Sequence, residues 1–453
     1  VLHTFDRLPG DHSVYITDDP EGAVRLARSA PFVGVDTETG SARTAGRWQL
    51  SAFTVADTTT AYVLDPARHQ AAIRDVLAYA RRLVFHNAAY DLPILVACGL
   101  MHPATINKVS DTLITARMVW PDSRGASNSL GALADRVLGL GYGALKSALE
   151  EGWKAVTGRA KSAMFDTLTL DSSPAFAAYA AWDPLVTARL YRALPAWLHA
   201  ALNPGLPGFR AVDASALDDR EQTVNRVLVR RSALGLGWDT EAAESVIAEL
   251  TMTAYVQRAE LDRAGLNPDL PATELKRAIL DRLEAEGRLP ASWPRLKNGA
   301  PTTAQTWMNT LAESVPLVQV AHDLLQAERW VRDYAKGTVS HEYQGRVRPQ
   351  VGVQATTTGR MTYGSPNLQQ LPGKVRRMYR FDAPATSFDW SSIEPVVAAA
   401  LARDPAVYGP YEAGEDLYEP VAQRAHVTRK TAKTVILAQL YGQGLASLAF
   451  RLN

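Results

Sequence analysis

Short apolar runs alternate with helix-like stretches through the first two hundred residues. Phe32-Val33-Gly34-Val35 reads as a short buried strand, Trp48 to Val55 and Thr60 to Leu64 as a following hairpin, and Leu83-Val84-Phe85 as a second buried strand after a helical stretch. This alternation predicts an α/β domain over residues 1–204. Pro204-Gly205-Leu206-Pro207-Gly208 is a turn-rich break, and beyond it amphipathic runs near 218–264 and 315–336 predict a helical domain over 205–342. The stretch between those runs holds Pro268, Pro271, Pro290, Pro294, Gly299 and Pro301, which suits the irregular tip of an elongated helical domain. From about 343 strand and loop signals return, setting off a third region, 343–453, and no tandem repeat or low-complexity tract is visible.

Composition narrows the classes. Lys+Arg 48 against Asp+Glu 47 leaves a formal charge of +1, so the chain is neither an acidic tail protein nor a globally basic coat, and any groove for an anion must be local. The single cysteine, Cys98, lies in the apolar run Leu95 to Leu100 and excludes an internal disulfide framework, in keeping with a reducing, cytoplasmic setting. No stretch reaches the roughly 18 uninterrupted apolar residues of a membrane span, and the first residues carry no basic region followed by an apolar one. A soluble, unsorted chain with no membrane partner is expected.

Four carboxylates stand out by their company. Asp36-Thr37-Glu38 follows the first buried strand, a rigid place for two acids, although the tripeptide alone proves little. The same tripeptide at Asp239-Thr240-Glu241 precedes a helical run, where Asp239 reads as an N-cap. After Leu83-Val84-Phe85 comes His86-Asn87-Ala88-Ala89-Tyr90-Asp91, which turns into a helix with Asp91 in its first turn. Tyr179-Ala180-Ala181-Trp182-Asp183 is helical, and a spacing of four puts phenol and carboxylate on one face. Gathered together, Asp36, Glu38, Asp91 and Asp183 would repel one another unless divalent cations neutralised them. Hard cations take oxygen ligands, and a pair about 3.5–4 Å apart activates water on one side of a phosphodiester and stabilises the leaving oxygen on the other. Taken singly, each acid reads as a solvated cap.

The Asp-x-Glu, Asn-x-x-x-Asp and Tyr-x-x-x-Asp trio resembles the three exonuclease motifs of the DEDD proofreading superfamily over roughly residues 30–195. The resemblance implies a ribonuclease-H-like fold and 3′ to 5′ hydrolysis of a single-stranded DNA 3′ end. It also implies two Mg2+ or Mn2+ ions on Asp36, Glu38, Asp91 and Asp183, with Tyr179 orienting the attacking water.

A second constellation lies nearer the C-terminus. Thr356-Thr357-Thr358-Gly359-Arg360-Met361 and Pro366-Asn367-Leu368-Gln369-Gln370-Leu371-Pro372 form a loop of amides and a guanidinium suited to sugars, phosphates and base edges, though turn chemistry selects the same residues. Lys374, Arg376, Arg377 and Arg380 are either phosphate contacts or a solvated face. Ser387 to Asp389 reads as a strand ending in a carboxylate, with Glu394 five residues on and an apolar helix after it. Arg429, Lys433, Leu437 and Tyr441 step by four, and since each step overshoots a turn by only about 40° they share one broad helical face. Two cations a turn apart can hold a triphosphate while the ring further along abuts a base pair.

In this order, these segments resemble the Thr-x-x-Gly-Arg loop, motif A and motif B of family A DNA polymerases, with 205–340 similar to the thumb and 343–453 to a partial palm and the start of the fingers. The resemblance implies that Asp389 binds a pair of catalytic metals and Glu394 acts as a steric gate against a ribose 2′-hydroxyl. It also implies that Arg429 and Lys433 hold a deoxynucleoside triphosphate, that Tyr441 guards the template base, and that Arg360, Asn367 and Gln369 track primer-template DNA. Leu437 stands where the family commonly has Phe or Tyr, and Asp416-Leu417-Tyr418 replaces the usual Asp-Ile-His. After Glu419 there is no Asp or Glu, so the His-Asp-Glu palm hairpin is missing, and the expectation is a fragment of a longer, phage-like polymerase, inactive in extension by itself, with a split enzyme as the lesser alternative. A stand-alone 3′ exonuclease and a non-catalytic primer-template binder are the rival readings.

Overall fold

Alternation along the first strands sorts their side chains onto two faces, and helices cover both. The computed structural model describes residues 3–5, 14–40, 50–121, 127–142, 150–151, 153–155, 157–159, 174–207, 210–339, 342–444 and 448. Strands β1 (His3–Phe5), β2 (Val14–Thr17), β3 (Val33–Thr39), β4 (Leu50–Ala56), β5 (Thr60–Leu64), β6 (Leu83–Phe85) and β7 (Val109–Asp111) form one mixed sheet in the order β1-β2-β5-β4-β3-β6-β7. The expected hairpin is present as antiparallel β4 and β5, with Trp48 outside the described residues. β6 runs parallel to β3, and β7 parallel to β6. The strand expected to end before Asp36 instead continues through both acids, because β4 pairs with it as far as Thr39.

Helices α1 (Pro20–Ser29), α2 (Gln70–Tyr79), α3 (Ala88–Ala97), α4 (Thr112–Val119), α5 (Leu130–Leu138), α6 (Pro174–Leu202) and α7 (Ala214–Leu234) accompany the sheet. Val33 and Val35 of β3, with Phe53, Val55 and Phe85, share a core with α1, α2 and α3. On the opposite face Ala52, Ala56, Ala61 and Val63 pack against Leu133 of α5 and Tyr179, Trp182 and Leu185 of α6. Gly34 belongs to this second face. A Cβ there would stand 1.9 Å from the carbonyl oxygen of Pro184, so only a glycine lets α6 lie this close to β3.

α7, which follows the break near 205, packs back onto the first core through Val229 and Ala233. Its Gln222 is buried, accepts from the Asp111 amide at 2.8 Å and donates to the Asp111 carbonyl at 2.9 Å. Replacing it leaves buried backbone groups unpaired. Gln222→Ala should therefore cost roughly 1–3 kcal/mol locally, seen as amide exchange at Asp111 faster by about one to two powers of ten.

A second core joins helices Thr240–Arg263, Ala272–Ala285, Gln305–Ala312 and Pro316–Trp330, with Val246, Leu250, Leu261 and Leu324 at its centre. Asp239 caps the first of these by accepting from the Ala242 amide at 3.0 Å, as its pattern requires. The proline-rich stretch expected to be irregular contains the helix Ala272–Ala285, started by Pro271 at its N-cap and buried through Leu275, Ile279, Leu280 and Leu283. Helix periodicity outweighs the flanking prolines there, since Pro is tolerated where no helical N–H bond is owed. Short strands Leu236–Trp238, Glu342–Tyr343, Arg346–Val347 and Tyr379–Arg380 make a four-stranded sheet, and Gln350–Gly352 pairs with Thr362–Gly364.

The chain divides into two units, Val1–Asp382 and Ala383–Asn453. The second holds helices Ile393–Ala402, Pro405–Glu412, Glu419–Ala425 and Arg429–Leu440 around a small core of Tyr418, Ala422 and Ala432. Ser387 to Asp389 is not the expected strand. Among the described residues nothing pairs with it, and Phe388 is 89% and the adjacent Trp390 71% exposed; a strand without a neighbour leaves its ladder unpaired. Among the described residues no helix is long and apolar enough to cross a membrane.

Candidate active site

Strand parity puts Asp36 and Glu38 on the same face of β3 as Gly34, the face that α6 covers. α6 brings Asp183 there, one residue before the Pro184 carbonyl that approaches Gly34. One oxygen from each of Asp36, Glu38 and Asp183 lies within 4.8 Å of the others, the only such grouping of His, Cys, Asp or Glu side chains among the described residues. Glu38 and Asp183 are buried and Asp36 half-buried, so three like charges meet in a region of low dielectric. The donors are all oxygens, which fits a hard divalent cation such as Mg2+ or Mn2+ and not a soft, thiolate-seeking one.

Asp91 stands apart from this trio. It lies in the first turn of α3 and accepts a 2.6 Å hydrogen bond from Thr37, whose side chain alternation turns away from Asp36 and Glu38. Burial raises the Asp91 pKa most, the Thr37 hydrogen bond opposes this, and the charge of Asp111 adds to it. Asp111 accepts from the amides of Asn87 and Ala88 at 2.9 and 2.8 Å, so it satisfies orphan donors at the start of α3. Asn87 itself sits in the left-handed region at φ 74°, a conformation Asn tolerates better than most residues.

Two phenols flank Asp183. Tyr179, one turn earlier on α6, is buried, and burial first, then the charges of Glu38 and Asp183, hold its pKa far above the ordinary value. Tyr142 is buried too and donates its hydroxyl proton to Asp183 Oδ1. Burial first, then the Asp183 charge, likewise raises its pKa, so both phenols keep their protons. Beside the acids opens a cleft of about 480 Å3, lined by Asp36 and Asp183 and by His86, Arg117, Asn128 and Gln354. Arg117 donates to the Val353 carbonyl at 2.6 Å, and His86 Nδ1 lies 2.9 Å from Thr112 Oγ1.

The residues of the second constellation fall in both units. In the first, Gln369 spans the loop, accepting from the Tyr363 amide at 3.2 Å and donating to the Met361 carbonyl at 3.3 Å, while Asn367 accepts from the Gln369 amide at 3.2 Å. The Arg360 amide donates to Thr356 Oγ1 at 2.8 Å and its side chain is exposed. Of the nearby basic residues, Lys374 and Arg377 pair with Glu249, and Arg380 with Asp239. In the second unit Asp389 is exposed outside any element. Glu394 opens helix Ile393–Ala402 and accepts a 2.6 Å hydrogen bond from the Tyr441 hydroxyl. Arg429, Lys433 and Leu437 lie along helix Arg429–Leu440, with Arg429 bonded to Asp416 Oδ2 at 2.8 Å through Nε. The Arg429 and Lys433 cations stand 5.3 and 5.7 Å from the Tyr418 ring.

Residues 12–198 match the family model of a 3′-5′ exonuclease, and residues 248–453 that of DNA polymerase family A. Residues 248–453 belong to DNA polymerase family A. The chain is 25% identical over 520 aligned positions to DNA polymerase I of Rhizobium leguminosarum, covering 99% of this chain and 47% of that protein. It is 24% identical over 392 positions to the DNA polymerase of Mycobacterium phage L5, covering 83% and 62%. With the thermostable DNA polymerase I of Thermus thermophilus it shares 26% identity over 250 positions, covering 51% and 30%. The chain thus spans from 30% to 62% of the length of these relatives. The solved POL domain of Pol1 from M. smegmatis, in complex with DNA primer-template and dNTP, matches its fold with a TM-score of 0.65 at 21% identity, covering 96% of this chain and 73% of that one. The chain therefore has an exonuclease domain followed by a largely helical polymerase-type part.

Three residues of the site were not marked by the sequence. Thr37 looks like a spacer between two acids, and Asp111 ends a strand too short to stand out. Tyr142 lies among Gly139, Gly141 and Gly143, where no periodicity assigns a face. Only for Asp111 was a signal available: Asp-Thr after a buried run is an N-cap pattern, and its carboxylate does accept from the Leu113 amide at 2.9 Å.

Proposed function

We propose that the first unit hydrolyses phosphodiester bonds at the 3′ end of single-stranded DNA with divalent cations, as the proofreading activity of a template-directed DNA polymerase. The observation that carries this reading is the meeting of Asp36, Glu38 and Asp183 within 4.8 Å. These three residues would hold Mg2+ or Mn2+. A divalent cation supplies, when bound, the positive charge that activates water and stabilises the leaving oxygen. Tyr179 orients the water. The family resemblance gives Asp91 to a second cation, and Thr37 is the partner it would share or release. The cleft beside the acids receives the frayed terminus, with Arg117 near its phosphates.

For the polymerase half we propose Asp389 as a ligand of catalytic metals and Glu394 as the sugar gate, held by Tyr441. Arg429 and Lys433 would take the incoming triphosphate, Arg429 exchanging Asp416 for phosphate, with Leu437 beside the nucleotide. Arg360, Asn367 and Gln369 would follow the primer-template duplex. We propose residues 1–204 as the exonuclease domain, 205–342 as the thumb, and 343–453 as palm and fingers. Since residues 420–453 offer no Asp or Glu as a second palm ligand, these 453 residues alone should not extend a primer.

A 5′-labelled single strand incubated with the purified chain and Mg2+ should shorten one nucleotide at a time from its 3′ end, and EDTA should stop this. A labelled primer-template with all four deoxynucleoside triphosphates should not lengthen. Shortening that persists in EDTA would remove the metal reading, and extension would remove the assignment of inactivity.

A further inference from the structure

We propose that Tyr142 is a positioning residue of the cation site: its hydroxyl holds one carboxylate oxygen of Asp183 so that the other faces the metal. The inference rests on the hydrolytic reading of Asp36, Glu38 and Asp183, and adds a residue that the family motifs do not contain.

The backbone of α6 fixes where Asp183 begins but not where its carboxylate points. Two side-chain torsions remain, and repulsion from Asp36 and Glu38 turns the group away from them before a cation arrives. Tyr142 removes that freedom by donating to Asp183 Oδ1. The phenol is itself fixed: it is 2% exposed and lies in the core shared by α5 and α6, its ring 6.3 Å from that of Trp182 and tilted by 44°. A neutral donor suits the task, because it orients the carboxylate without cancelling the charge that attracts the cation. A lysine or arginine in its place would compete with the metal. The two phenols thereby divide the work, Tyr179 toward the reacting water and Tyr142 toward the ligand. Groups that orient metal ligands from outside the coordination sphere are worth about 10- to 100-fold in affinity or activity.

The test measures Mn2+ binding to the full chain by calorimetry without DNA, beside the Mg2+ dependence of 3′ hydrolysis. Tyr142→Phe keeps the ring and its packing. It should bind Mn2+ about tenfold more weakly, need correspondingly more Mg2+ for half-maximal hydrolysis, recover rate at saturating metal, and melt at the wild-type temperature. Combined with Asp183→Asn it should weaken binding no further than Asp183→Asn does alone, since the phenol acts through that carboxylate. Wild-type Mn2+ affinity in Tyr142→Phe, additive effects in the double variant, or a lowered melting temperature with unchanged affinity would each overturn the proposal. A wild-type chain that binds no Mn2+ would overturn the metal reading itself, an outcome distinct from the other three.

Discussion

Asp36→Ala should reduce 3′ hydrolysis by well over a hundredfold, because residues that merely support a metal ligand already cost about 10- to 100-fold when lost and Asp36 is placed to be a ligand. The same change should not unfold the chain. In EDTA it removes one of three mutually repelling carboxylates, so the melting temperature of Asp36→Ala should equal or exceed that of the wild type. Added Mg2+ should then raise the wild-type melting temperature by mass action and leave the variant almost unmoved. Activity surviving the substitution would exclude the trio as the hydrolytic centre. A variant that melts far lower in EDTA would show that Asp36 serves the fold and not the metal.

Gly34→Ala should disable the same site from behind. The added methyl would stand 1.9 Å from the Pro184 carbonyl oxygen and 2.9 Å from its carbon, both backbone atoms that cannot rotate away. α6 must back off from β3, and Asp183, the residue before Pro184, moves with it. A misplacement of about 1 Å costs on the order of a hundredfold in rate, while overpacking costs roughly 1–3 kcal/mol in stability. The measurements are single-turnover hydrolysis and a thermal melt, in which both should fall. A fully active Gly34→Ala enzyme would mean that the approach of α6 to β3 does not set the geometry of the acids.

The acids were readable before the structure because each sits beside a strong local signal: Asp36 and Glu38 after a buried strand, Asp91 after another, Asp183 a turn from Tyr179. Their grouping was only partly readable. Parity along β3 determines that Asp36 and Glu38 face α6 while Thr37 faces α3, but which helix covers which face is a matter of topology, and that separates Asp91 from the other three. The helix Ala272–Ala285 hid behind its flanking prolines, although Leu275, Ile279, Leu280 and Leu283 carry its period. Ser387 to Asp389 misled in the opposite sense, since an apolar residue before an acid describes a strand only when a neighbour exists to pair with it. The pairing of Glu394 with Tyr441 across 47 positions belongs to long-range geometry that no local pattern encodes.

Val351 and Val353, on the segment leading to the Thr356–Arg360 loop, are buried in the same core as α3 and the sheet, together with Val229 and Ala233 of α7. Cutting the chain near residue 204 would strip this cover and leave Leu92, Leu95 and their neighbours facing water. The nuclease half is thus not a detachable cassette: it borrows part of its interior from sequence more than a hundred residues downstream.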